Sequence, residues 1–274
     1  MPSIKVGGIF MRKIIIKNVL KIIFFLFTIG VCFLIISNTT LAVEKENKLH
    51  AWGFMRGKEG IQPDFDKTSK DIIEKYDGIV VGNNEEKTIY ITFDLGYEAG
   101  YTEKILDVLK KQDVKASFFI TGHYLNTAEE LVKRMIEEGH IVGNHTVNHK
   151  CLAKLNDGEI EKEIMDLDRA LYNKFNYQMS FFRPPKGEFS EKVIEKVKSL
   201  GYKTVMWSSA YDDWDTEKQN REEYGINKIL DNLHNGMVLL LHATSKDNAN
   251  ILDTVITKIK ENGYNIKNID EFRK

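Results

Sequence analysis

From residue 88 to the C-terminus, short apolar runs alternate with amphipathic stretches, and this alternation predicts most of the fold. Runs at 88–93, 116–121, 140–142, 180–183, 204–208, 237–241 and 264–269 read as strands. The stretches between them carry apolar residues three and four positions apart, as in Leu131, Met135 and Ile136, or Leu252, Val255, Ile256 and Ile259, and read as helices packed by one face. Helix punctuation accompanies them. Thr127 with Glu130 reads as a capping box and Ser190 as an N-cap, while Gly139, Gly201, Gly236 and Gly263 stand where a left-handed residue would close a helix. Strands that are apolar throughout and alternate with helices predict an α/β fold whose parallel sheet is covered by helices. Seven strand candidates fit a closed or nearly closed barrel as well as an open doubly wound sheet. The first strand is followed by no glycine fingerprint, which argues against a dinucleotide-binding fold.

The chain before residue 88 is patterned differently. Lys5, Arg12, Lys13, Lys17 and Lys21 precede an unbroken apolar run over 22–36, which ends in Ser37-Asn38-Thr39-Thr40-Leu41-Ala42. A basic flank, an apolar core and small residues predict a secretory signal over 1–42, or a membrane anchor if it is not cleaved. Residues 43–87 are mostly polar, with one helical pattern over 69–76. Ala51-Trp52-Gly53-Phe54 sets large aromatics in this stretch, so it is expected to pack as an N-terminal extension on a domain spanning 88–274. The positive flank places that domain outside the cytoplasm. Of the two cysteines, Cys32 lies in the apolar run, so Cys151 has no partner for an internal disulfide in the domain. A net charge of −1 offers no excess of cations for phosphates, which argues against a nucleic-acid partner and suits a glycan.

The polar residues at strand ends suggest chemistry. Asp94 ends the first strand, His145 and His149 follow the third, Arg183 ends the fourth, Asp212 and Asp213 follow the fifth, and His242 ends the sixth. All stand at C-terminal strand ends, the rim where barrels and parallel sheets gather their sites. His145 and His149 are spaced so that one helical turn would put both imidazoles on one side, which suits two ligands of a divalent ion. Singly, each residue also has a bland reading: Asp94 as a helix cap, Arg183-Pro184-Pro185-Lys186-Gly187 as a rigid turn, His242 as a core histidine. Taken together they offer an aspartate that Arg183 can hold and an imidazole that Asp213 can charge.

These residues resemble the five ordered motifs of polysaccharide deacetylases with the NodB homology domain. They are Thr92-Phe93-Asp94 with Gly96, the segment from His145 to His149, Arg183 to Gly187, Asp213-Trp214, and Leu240-Leu241-His242. Trp52-Gly53-Phe54, Gly96-Tyr97-Glu98 and the stretch from His242 to Ala249 further resemble the muramic acid de-N-acetylases that lead to δ-lactams in spore-forming bacteria. The resemblance implies a distorted (β/α) barrel of about seven strands and hydrolysis of the N-acetyl group of N-acetylmuramic acid in peptidoglycan, in support of lactam formation in spore cortex. It implies an extracytoplasmic monomer that takes a glycan strand as its partner. In the roles it implies, Asp94 is the base held by Arg183, His242 is the acid charged by Asp213, and His145 and His149 hold a divalent ion, zinc or else manganese or cobalt. Trp214, Leu240, Pro184 and Tyr97 would line the substrate. Family members usually carry a second aspartate after the first, as a metal ligand; Leu95 stands there and cannot ligate. Two readings compete with this one: deacetylation of N-acetylglucosamine, chitin oligomers or O-acetylated glycan, and a wall protein that binds glycan without catalysis.

Overall fold

The structure is a computed structural model, and it describes residues 17–21, 23–31, 47–57 and 60–273. Most of the expected signal or anchor lies outside them. Its described parts, 17–21 and 23–31, are helical, and no helix among the described residues is long and apolar enough to cross a membrane. Residues 1–48 form one unit and Leu49–Lys274 a second.

The second unit is built on a parallel sheet. Its strands are β4 (Thr88–Leu95), β5 (Ser117–Ile120), β6 (Ile141–Asn144), β7 (Phe181–Phe182), β9 (Lys203–Thr204), β10 (Met237–His242) and β11 (Asn265–Ile266). The order is β10-β4-β5-β6-β7-β9, with β11 paired to the start of β4. Each of the seven apolar runs therefore contributes a strand. Beyond β9 the chain continues past Val205 to Ser209, which makes a single parallel bridge to Leu239 of β10, so the two ends of the sheet curl toward each other. A row of strands that nearly closes on itself is the distorted barrel.

Helices α2 (Thr102–Lys111), α3 (Gly122–Thr127), α4 (Glu129–Glu137), α5 (Asp157–Phe175), α6 (Glu191–Ser199), α7 (Glu222–Leu230) and α8 (Lys246–Glu261) surround the sheet. Their apolar faces join the outward-facing strand residues in one large core, which includes Ile91, Phe93, Leu95, Leu106, Val132, Ile164, Val193 and Ile256. Ser190 caps α6 by accepting from Val193 N, and Gly139, Gly201, Gly236 and Gly263 all have positive φ. The capping box expected at Thr127 does not form. Thr127 is the last residue of α3 and its hydroxyl donates to the His123 carbonyl, so α4 starts after Ala128 without a side-chain cap. The capping box that does form is Asn156 with Glu159, at the start of α5.

The segment before β4 carries β1 (His50–Ala51), β2 (Phe54–Met55), β3 (Asp64–Phe65) and α1 (Lys67–Lys75). β1 pairs antiparallel with β8 (Glu188–Phe189), and Ile79 bridges Val205. The buried Trp52 indole donates to the Trp207 carbonyl at 2.8 Å. Trp52, Ile73, Val80, Phe189, Ile194 and Met206 form a separate apolar cluster there.

Candidate active site

Strand alternation sorts the first motif. In β4 every side chain is buried, but successive residues face opposite sides of the sheet. Leu95 belongs to the helix-covered core, so Asp94 before it faces the barrel interior. His242 is the direct partner of Asp94 in the register between β10 and β4. The base and acid candidates are thus brought together by one strand pairing.

Arg183, at the end of β7, is fully buried and fixed from three directions. Its Nη1 donates to Asp94 Oδ1 at 2.8 Å, Nε to the Val205 carbonyl at 3.0 Å and Nη2 to the Met206 carbonyl at 3.3 Å. The guanidinium lies 4.2 Å from the Phe119 ring centroid, a desolvated cation–π contact. Burial alone would push the Asp94 carboxyl up. The Arg183 charge, with His145 and His242 beside it, outweighs burial and holds Asp94 below the usual carboxylate range. Asp94 is therefore ionised at neutral pH inside an apolar surround.

His145 and His149 do meet, with ring centroids 4.9 Å apart, but not by the helical turn expected of their spacing. Residues 145–150 form a loop in which Thr146 (φ 69°) and His149 (φ 55°) are left-handed. Each such residue costs about 1–2 kcal/mol outside glycine, so the loop must be held. Asn144 Oδ1 accepts from Thr146 N at 2.9 Å, and Thr146 Oγ1 accepts from His149 N at 2.9 Å. The His145 Nδ1–H donates to the Arg183 carbonyl at 2.8 Å, which leaves Nε2 with its lone pair 3.6 Å from Asp94 Oδ2. Burial pushes His145 down to about 4 and lowers His149 as well, so both are neutral imidazoles near pH 7.

Among the described residues, no group of three or more His, Cys, Asp or Glu side chains could hold a metal ion. The donor chemistry nevertheless fits an ion held by the pair. A metal-binding imidazole must be neutral, with its other nitrogen bonded to a carbonyl or carboxylate, and His145 meets both conditions.

The acid candidate is built as a compact network. Asp213 is 2% exposed. Its Oδ1 accepts from His242 Nδ1 at 2.9 Å, and its Oδ2 accepts from His242 N at 2.7 Å and from Asn248 Nδ2 at 2.5 Å. Asn248 Nδ2 also donates to the His242 carbonyl at 3.0 Å, while its Oδ1 accepts from the Tyr211 hydroxyl. Burial opposes a charge on His242, but Asp213 overcomes it, and the imidazole is raised above its ordinary value. Asp212 turns the other way, to Arg221 and the Tyr224 hydroxyl. Asn248 was not singled out by spacing. Its signal lay in the His242–Ala249 stretch, but a neutral amide at a helix start carries no chemical label.

Of the expected lining residues, Pro184 and Leu240 are buried. Trp214 is 62% exposed and Tyr97 46%, which leaves both rings free to meet a sugar face.

Residues 81–205 match the model of the polysaccharide deacetylase family. The chain is 44% identical over 221 residues to the peptidoglycan-N-acetylmuramic acid deacetylase PdaA of Bacillus subtilis, covering 80% of this chain and 84% of that one. The chain belongs to the polysaccharide deacetylase family. The solved structure of B. subtilis PdaA, a family 4 carbohydrate esterase, superposes with a TM-score of 0.80 over 82% of this chain and 97% of the other. A family 4 carbohydrate esterase from Bacillus anthracis gives 0.70 at 38% identity, over 82% and 96%. A peptidoglycan-N-acetylglucosamine deacetylase of Bacillus cereus is 33% identical over 69% of this chain and 89% of that protein. Polysaccharide deacetylases are in general metal-dependent. In this member an apolar residue that packs into the core, Leu95, follows the first-motif aspartate.

Proposed function

We propose that this chain hydrolyses the acetamide of N-acetylmuramic acid residues in peptidoglycan, with Asp94 as base and His242 as acid. The observation that carries the reading is the strand pairing that sets Asp94 opposite His242, each with its own buried partner. Simple glycan binding has no use for an ionised carboxylate beside an imidazole whose charged form a second buried carboxylate favours. The identity to PdaA supports muramic acid as the sugar.

A divalent ion on His145 and His149, zinc by ligand type with manganese or cobalt as alternatives, would supply polarisation of the acetamide carbonyl and a more acidic water. Asp94 accepts a proton from the attacking water, and Arg183 keeps its carboxylate charged and aimed. His242 delivers the proton that the leaving amine needs, with Asp213 holding its Nδ1–H so that Nε2–H faces the substrate. Leu240 and Pro184 shape the floor for the acetyl methyl, and Trp214 and Tyr97 offer rings to the sugar. The freed amine of a muramic acid can then condense with its own lactyl carboxyl, as a spore-cortex lactam requires. In this reading residues 1–42 serve export or anchoring, 43–87 extend the fold and 88–274 carry catalysis. A peptidoglycan substrate places the enzyme outside the cytoplasm.

The test is acetate release from purified glycan strands, with mass spectrometry of the digested products. Loss of acetyl from muramic acid is expected, and Asp94→Asn and His242→Ala should each abolish it. Activity retained by either variant overturns the roles. Loss of acetyl from N-acetylglucosamine alone would favour the second reading, which rests on the B. cereus relative.

A further inference from the structure

We infer that Glu163 is a positioning residue that sets the distance between His145 and His149 and thereby the affinity of the site for a divalent cation. This rests on the reading of those two histidines as the ion's ligands. Glu163 lies on α5, outside the sheet and away from every recognised motif, yet its side chain is buried. Its Oε2 accepts from Asn148 N at 2.8 Å and its Oε1 from Asn148 Nδ2 at 2.8 Å, so the carboxylate holds one loop residue by both its backbone and its side chain. Its own backbone carbonyl accepts from Val147 N at 2.9 Å. Lys150 Nζ lies 3.2 Å from Oε1, just beyond the second histidine. Glu163 therefore grips 147, 148 and 150, the residues on either side of His149.

That grip has a purpose. His149 and Thr146 are both left-handed without being glycine, a backbone that springs back unless its N–H groups are satisfied elsewhere. Thr146 satisfies the N–H of His149 from inside the loop, and Glu163 satisfies those of Val147 and Asn148 from outside. With Leu95 in place of a carboxylate, the ion depends on two imidazoles, so a loose second histidine leaves only one firm ligand. Partners that orient ligands from behind typically account for 10–100-fold in metal affinity.

The experiment is calorimetric titration of the metal-stripped full chain with zinc chloride. In Glu163→Ala the zinc dissociation constant should rise by about 10–100-fold, with acetate release returning toward the wild-type kcat as zinc is raised to saturation. Glu163→Gln keeps an oxygen acceptor for one of the two Asn148 donors and should show a smaller rise, which covers the case in which the alanine variant does not fold. Folded variants of either kind that bind zinc within about twofold of the wild type overturn the inference. If His145→Ala and His149→Ala leave zinc binding intact, the reading of the ligands fails first; if they abolish it while Glu163→Ala does not, only the role of Glu163 fails.

Discussion

Arg183→Met offers the sharpest test of how this site is powered. The substitution keeps an unbranched apolar side chain but removes the cation, which lies over the Phe119 and Trp207 rings, and the three donors. Asp94 would then be 7% exposed with its principal counter-charge gone. Breaking one side of a buried ion pair costs about 3–5 kcal/mol. For a unit of this size each kcal/mol lowers Tm by about 2–4 °C, so the fall should be roughly 6–20 °C. The sign of the pH effect follows from the direction of the shift. Asp94 is held below the usual carboxylate range, so its pairing stabilises the fold above the ordinary carboxyl value and is lost as pH falls through the depressed one. Without Arg183, only His145 and His242 still oppose burial, so Asp94 rises and the acid limb of kcat/KM should move to higher pH. At a fixed pH near 7 the rate should drop by about 10²–10⁴-fold, the usual contribution of a general base. The assay is acetate release across pH, with thermal unfolding in parallel. An unmoved acid limb together with an unchanged Tm would show that Asp94 does not depend on Arg183.

Two other substitutions probe the rest of the site. Asp213→Asn should move the basic limb of kcat to lower pH, because burial opposes a charge on His242 once Asp213 no longer favours it; the raised imidazole supports the acid form below its elevated pKa and loses it above. A basic limb that stays put or rises would contradict this account. Leu95→Asp places a carboxylate at a fully buried position in the apolar core and should cost at least about 3 kcal/mol, or roughly 6–12 °C in Tm. Unfolding at the wild-type temperature without metal would mean that the side chain escapes the core toward the site.

Legibility followed the physics of each feature. The seven strands of the main sheet were readable because each lies in or at the edge of an apolar run long enough to show, even where, as with Phe181–Phe182 or Lys203–Thr204, only two residues keep ladder geometry. Asp94, Arg183, Asp213 and His242 were readable because charged residues at the ends of apolar runs stand out. The histidine pair was found for a reason that did not hold. Spacing of four suggested a helical turn, whereas left-handed Thr146 and His149 bring the rings together, and non-glycine residues announce no such conformation. Asn144, Glu163 and Asn248 were silent for a related reason. Their work includes hydrogen bonds to groups distant in sequence, the Ile164 carbonyl, Asn148 N and Asp213 Oδ2 respectively, which no local pattern encodes.

The register of β4 bears on how the chain comes to be folded at all. β4 pairs over nearly its whole length with β10, so Ile89 meets Met237, and His50 near the start of the body waits for Phe189. Contacts closed across such long stretches are slow to form, because the entropy of ordering the intervening loop is lost before the contact repays it. A chain delivered N-terminus first must therefore hold β4, apolar and unpaired on that edge, until β10 has emerged. The Asp94 carboxylate on β4 is synthesised early, but the imidazole it faces arrives only with β10.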